Sequence, residues 1–165
     1  MKLQMDMEDY FQNLAQLDSD KIVILCDRGC MDTQAFVQKE IWESILTENS
    51  WNNTSLRDNR YDAVIHLLTS ADGAIEYFKK AENCSSEEEL REKILKAKNI
   101  DNKLNEAYMG HPNYCIVDNS GPDFQSKINK VFGAVGKYIG LPVMNEFIRK
   151  FLVEPGLKNI NIFTT

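Results

Sequence analysis

Apolar positions along this chain alternate between two spacings. In residues 3–17 they fall at Leu3, Met7, Tyr10, Phe11, Leu14 and Leu17, which is the three-to-four spacing of one helix face. Residues 21–26, KIVILC, switch to an almost unbroken apolar run. That pattern predicts a strand buried on both faces. Helical spacing returns over 32–48 through Phe36, Val37, Ile41, Ile45 and Leu46, with Asp32 as the candidate N-cap. YDAVIHLLT at 61–69 predicts a second strand, and the charged stretch 85–108 a long helix or helical hairpin. YCIVDNS at 114–120 predicts a third, short strand ending in polar residues. Pro122 stands where a first helical turn tolerates it. A last helix over 123–139 carries Phe124, Ile128, Val131, Phe132, Val135, Tyr138 and Ile139. The order α-β-α-β-α-β-α predicts an α/β domain with a doubly wound parallel sheet.

In such sheets ligands gather at the carboxyl ends of strands. The first predicted strand closes on Asp27 and Arg28. An apolar strand closed by a carboxylate has the Walker B pattern: Asp27 can hold Mg²⁺ or its waters, or take a proton from an attacking hydroxyl. Arg28 offers a bidentate fork to a phosphate. The competing reading is structural, with Asp27 capping the next turn and Arg28 paired to it. Arg57 and Arg60 precede the second strand and are expected to pair with Asp58 or Asp62. His66, inside that strand, reads as a hydrogen-bonded core residue, and His111 as a residue that fixes the turn before the third strand.

Composition narrows the classes. The 165 residues suit one domain. A net charge of −6 and a pI near 5.0 exclude broad nucleic-acid binding. No apolar run is long enough for a transmembrane segment, and the amino terminus lacks the order of a signal peptide. A cytoplasmic protein is expected. Cys26, Cys30, Cys84 and Cys115 form no CxxC pair. Cys26 and Cys115, lying in apolar runs, read as reduced core thiols. The N-x-(S/T) sequons at Asn52, Asn53 and Asn83 are then chance matches.

The phrases VILCDRGCMD (23–32), LRDNRYDAVIHLLTSADGA (56–74) and EAYMGHPNYCIVDNS (106–120), with the helix that follows, carry a family likeness. Together they resemble the P-loop domain of NadR-type nicotinamide riboside kinases and of the TRPL-trafficking GTP-binding proteins of photoreceptors. The Asp-Arg step is also similar to that of thymidylate kinase. The resemblance implies a doubly wound parallel sheet of the P-loop kinase type over 1–140, and a bound purine nucleotide. By position, Asp27 becomes the metal or base carboxylate and Arg28 the phosphate ligand. Asp118, Asn119 and Ser120 lie where such kinases contact the nucleotide base, with a helix cap as the alternative. Arg91, in the lid region, stands one place after the position of the family's phosphate-reaching arginine. Its alternative is a solvated charged face.

The sequence has no GxxxxGK(S/T), the loop whose N–H groups and lysine cradle phosphates. In the resembled family this loop precedes the helix that here begins at residue 1, so the fold is expected to be incomplete, without its first strand and phosphate loop. Residues 146–153, EFIRKFLV, resemble the opening strand of a CYTH-like triphosphate-tunnel domain, which makes 141–165 a linker and the start of that domain. The resemblance implies polyanion or phosphoinositide binding through Arg149 and Lys150, with Ile148 replacing an expected glutamate. Mg²⁺ with GTP or ATP is the expected cofactor of the completed domain, in a kinase or a GTP-binding trafficking regulator. No tight nucleotide binding or catalysis is expected of these residues alone. A non-catalytic α/β interaction module is the remaining alternative.

Overall fold

A computed structural model describes residues 1–20 and 22–141. The first helical pattern forms α1 (Lys2–Ala15). Of its side chains only Met5 is buried, while the stripe of Leu3, Met7, Tyr10, Phe11, Leu14 and Leu17 stays exposed. The helix expected over 32–48 divides into α2 (Asp32–Phe36) and α3 (Lys39–Glu48). The break falls where Val37 and Gln38 are both extended. Asp32 is the first residue of α2, and Met31 holds the N-cap place without a side-chain bond.

A short α4 (Asn53–Asp58) follows, capped by Asn52, whose carboxamide oxygen accepts from Ser55 N–H at 3.1 Å. Strand β1 (Val64–Leu67) leads to α5 (Ile75–Glu82) and then to α6 (Glu87–Tyr108). Three glutamates in the first turn of α6 suit the positive end of its dipole. Strand β2 (Tyr114–Val117) and α7 (Phe124–Ile139) complete the described chain.

The two strands are rich in β-branched and aromatic residues, which favour a pleated, half-buried surface. They pair in parallel, with Val64 opposite Tyr114 and Leu67 opposite Val117. The fold is a mixed α/β one, with a parallel sheet of two strands among the described residues. Val64 and Leu68 donate to the carbonyls of Asn113 and Val117, each at 3.0 Å. Residues 64, 66 and 68 therefore turn their N–H groups to β2. Ile65 and Leu67 turn theirs to the opposite edge, where no described strand pairs with them.

The strand expected at 21–26 is not formed over the described residues 22–26. Ile22, Val23, Ile24 and Leu25 are 42–78% exposed. Cys26 is exposed as well, which corrects its reading as a core thiol, and Cys115 is only half-buried. The physical reason is pairing. A strand is stabilised by its neighbour, and none of the described strands runs beside this segment.

The core lies on the helical side. Met5, Cys30, Met31, Trp42, Leu56, Ala107 and Tyr108 pack together, joining α1, α3, α4 and α6 beneath the turn that follows residue 26. On the other side α7 packs on β2. No helix among the described residues is long and apolar enough to cross a membrane. Arg149, Lys150 and, apart from Leu141, the linker and domain start expected at 141–165 lie outside the described residues.

Candidate functional site

Asp27 and Arg28 lie in the turn between the apolar segment and α2, and both are exposed. Arg28 has φ +74, a left-handed conformation that a side chain adopts only when its surroundings hold it. Here the Arg28 carbonyl accepts from Gln4 Nε2 at 2.9 Å, and its guanidinium lies 3.5 Å from Asp32. The expected pairing of Arg28 with Asp27 is thus replaced by pairing with Asp32. Gly29 follows, pressed against the Tyr108 and Tyr61 rings so closely that a Cβ would collide with the Tyr108 hydroxyl.

A polar network anchors this turn from below. Cys30 N–H donates to Tyr61 Oη at 2.8 Å, and Tyr61 Oη donates to the Glu8 carboxylate at 3.1 Å. Arg60 Nε meets Glu8 at 2.6 Å, and its Nη2 reaches the Met5 carbonyl at 2.7 Å and Asp9 at 2.9 Å. Arg60 therefore pairs with α1 and not with Asp58 or Asp62, which sequence proximity favours. Arg57 does pair with Asp58. Burial pushes the Tyr61 and Tyr108 phenols far above their usual range, and the Asp32 charge adds to this at Tyr108. Burial also raises the Cys30 thiol, and burial with the Glu8 charge raises that of Cys26. Neither environment activates a thiolate.

Asp27 and Arg28 open onto a cleft of about 1270 Å³. Residues 22–26 line it, as do Asp62–Ile65 and Leu67 of the β1 arm, one side of α1, and Val135, Tyr138 and Ile139 of α7. Its charged lining comprises Glu8, Asp9, Asp27, Asp32 and Asp62 against Arg28 and Arg60.

A second polar cluster sits at the carboxyl end of β2. Asp118 accepts from Ser120 Oγ at 2.8 Å and from Lys130, which also donates to Ser120 Oγ at 2.7 Å. Lys130 first, and Ser120 after it, lower the Asp118 carboxyl to about 2. Asn119 Nδ2 donates to the carbonyls of Thr69 at 2.8 Å and Asp72 at 2.6 Å, tying the loops after both strands together. Lys127 donates to the Leu68 carbonyl at 2.5 Å and to Asn119 Oδ1 at 2.7 Å, and burial pulls its pKa down. The helix-cap role belongs to Asp123, which accepts from Ser126 N–H at 2.8 Å.

The structure brings Asp27 and Arg28 together on the cleft. Asp118, Asn119 and Ser120 lie at the end of β2, apart from the cleft lining. Arg91 is exposed on α6, 4.0 Å from Glu87. Lys127 and Lys130 were not singled out in the sequence; KINK at 127–130 lies in the first turns of α7, which bring both ammonium groups back to the end of β2. His66 is buried 3.4 Å from Asp101, with Nε2 lacking a hydrogen-bond partner among the described residues. Burial matches its expected place; the expected hydrogen bond is not made. His111 fixes its turn as expected: Nδ1 accepts from Asn113 N–H at 3.0 Å, and Nε2 lies 2.9 Å from the Tyr61 carbonyl.

A family model described as an AAA domain matches residues 1–125. The chain belongs to the AAA-domain family. It thereby takes its place among P-loop nucleotide-binding proteins. No curated protein and no solved structure gives a match. For an AAA domain, the chemistry left to test is that of Asp27. No group of three potential metal ligands exists among the described residues. Mg²⁺ at phosphates needs less, because it is held by one or two carboxylates with substrate oxygens and waters. An exposed Asp27 at a cleft mouth fits that donor set only when a phosphate shares the ion.

Proposed function

We propose that this chain provides the metal-carboxylate side of a purine-nucleotide site, with GTP as the nucleotide. A phosphate loop carried by polypeptide beyond this sequence completes it. The observation that carries the reading is the Asp27–Arg28 pair, held at the mouth of the cleft by the Cys30–Tyr61–Glu8–Arg60 network. Asp27 holds Mg²⁺ through one carboxylate, and the ion neutralises phosphate charge. Arg28 exchanges its exposed contact with Asp32 for a phosphate oxygen. The weak 3.5 Å spacing and 64% exposure of its side chain make that exchange inexpensive. GTP is preferred to ATP through the resemblance to photoreceptor GTP-binding proteins.

The test uses the chain extended at its amino end by a strand and a GxxxxGK(S/T) loop. Asp27→Asn is expected to weaken magnesium-dependent GTP binding by about 10-fold or more with the helical content intact. Equal magnesium dependence in the two proteins overturns the reading.

A further inference from the structure

Helix α1 holds the body of the molecule with one side and shows solvent the other. Met5 is buried in the core, and Glu8 and Asp9 pair with Arg60. The cleft takes Glu8, Asp9, Gln12, Ala15 and Gln16 from this region. The other side carries Leu3, Met7, Tyr10, Phe11, Leu14 and Leu17, which are 49–84% exposed and line neither core nor cleft. Leu17 continues the last turn, its N–H bonded to the Leu14 carbonyl at 3.1 Å. Tyr10 and Phe11 meet edge to face, with ring centroids 5.7 Å apart.

Five of these residues, Leu3, Met7, Tyr10, Leu14 and Leu17, recur at alternating steps of four and three. That is the a/d seam of a left-handed helix pair, with Leu3, Tyr10 and Leu17 at d and Met7 and Leu14 at a. Met5 then falls at f, directly away from the seam, and it is the residue of α1 that the core buries.

The extent of this side suits a dimer. At roughly 200 Å² for a large side chain, these exposures leave on the order of 700 Å² on one copy. The largest apolar patch of a typical monomer is about 300–600 Å². Pairing two copies removes on the order of 1,400 Å², within the roughly 1,200–2,000 Å² of standard interfaces. The charges permit it. Between residues 3 and 18, Asp6 and Asp18 are the charged residues at e and g. In a parallel pair Asp6 lies beside Phe11, and Asn13 beside Asp18, of the second copy, so no two carboxylates are opposed. Two heptads are too short to hold free helices together. Here α1 is already formed and clamped by Arg60, so pairing does not have to order it.

We propose that the exposed side of α1 docks a second copy of this chain, as a parallel two-helix seam of Leu3, Met7, Tyr10, Leu14 and Leu17. The seam uses none of the cleft-lining residues and needs no nucleotide.

Sedimentation velocity of the full chain over a concentration series is expected to show a monomer–dimer equilibrium. Tyr10→Glu with Leu14→Glu is expected to weaken dimerisation about 10-fold or more, with helix content unchanged, since neither side chain packs in the core. Where helix content does fall, Tyr10→Ser with Leu14→Ser replaces the pair, with the same weakening expected. Ile24→Glu, on the cleft wall, is expected to leave the dimer in place. Tyr10→Cys in a Cys26→Ser background is expected to give, on mild oxidation, a disulfide joining the two copies at position 10, identified by peptide mass spectrometry. A chain monomeric at every concentration up to about 100 µM overturns the proposal and leaves this side of α1 to a different polypeptide. A dimer indifferent to the α1 substitutions, or one that Ile24→Glu abolishes in their place, also overturns it. A dimer that yields no disulfide at position 10 does the same for the parallel seam.

Discussion

Arg60 shows how much a single residue can hold in place. Its guanidinium, only 15% exposed, joins Glu8, Asp9 and the Met5 carbonyl, and through Glu8 it fixes Tyr61 and the turn that presents Asp27. Arg60→Ala leaves the Glu8 carboxylate, itself 14% exposed, without its cation. Removing one partner of a buried pair is costly because the other stays desolvated. The expected loss is about 2–4 kcal/mol in urea unfolding, with Arg60→Lys recovering only part, since an ammonium cannot make the same fork. Asp118 gives a residue-scale test against pH. Its folded pKa of about 2 lies below the ordinary carboxylate value. Ionised Asp118 therefore favours the folded state above about pH 4, and that contribution fades as pH falls toward 2. Carbon-13 NMR titration of the carboxyl is expected to give a midpoint near 2, and Lys130→Ala to move it upward. A midpoint unmoved by Lys130→Ala rejects the ion pair as the leading cause. The exposed place of Asp27 and Arg28 at a turn beside the cleft followed from their position after an apolar run. The partner of Arg60 was not, because Glu8 lies 52 positions away and only the tertiary fold brings the two together.

At the scale of elements, sequence signals worked where the cause was local. The start of α6 has such a local cause, although it was not singled out in the sequence. Ser86 accepts from Glu89 N–H at 3.1 Å, and Ser85 N–H donates to the Glu89 carboxylate at 2.9 Å, a capping-box exchange whose return bond falls one residue before the N-cap. Ser86→Ala is expected to cost about 1 kcal/mol, read as a lower thermal midpoint with α6 still formed. No change in midpoint shows the cap to be dispensable. The break between α2 and α3 had no Gly or Pro to mark it, and only the extended Val37 and Gln38 reveal it. The segment 22–26 failed for a different reason. Its composition is that of a buried parallel strand, yet strand identity belongs to a pair, and the neighbour it needs is not among the described strands. Its exposure and the edge of β1 that pairs with no described strand are two sides of one gap.

At the scale of the molecule that gap sets the energetics of nucleotide binding. A triphosphate surrenders strong hydration on binding and needs equally good contacts in return. In P-loop proteins these come from the loop's N–H groups, its lysine, and a metal held partly by the loop's Ser or Thr. None of these residues is in the sequence. Arg28 offers one fork, and a charge-assisted hydrogen bond adds only about 1.5–3 kcal/mol, from which the exposed contact with Asp32 must first be given up. Lys127 and Lys130 are engaged with Leu68, Asn119, Asp118 and Ser120. The cleft lining carries five carboxylates and two guanidinium groups, a balance that repels phosphate unless Mg²⁺ intervenes. A micromolar complex requires about 8 kcal/mol, several kcal/mol more than these groups supply. Calorimetric titration of the chain with GTP and with ATP, each with Mg²⁺, is therefore expected to show no saturable binding in the micromolar range. The same titration with the strand and phosphate loop added is expected to show it. Micromolar binding by the chain alone means that its own residues replace the phosphate loop, and the account of an incomplete site then fails.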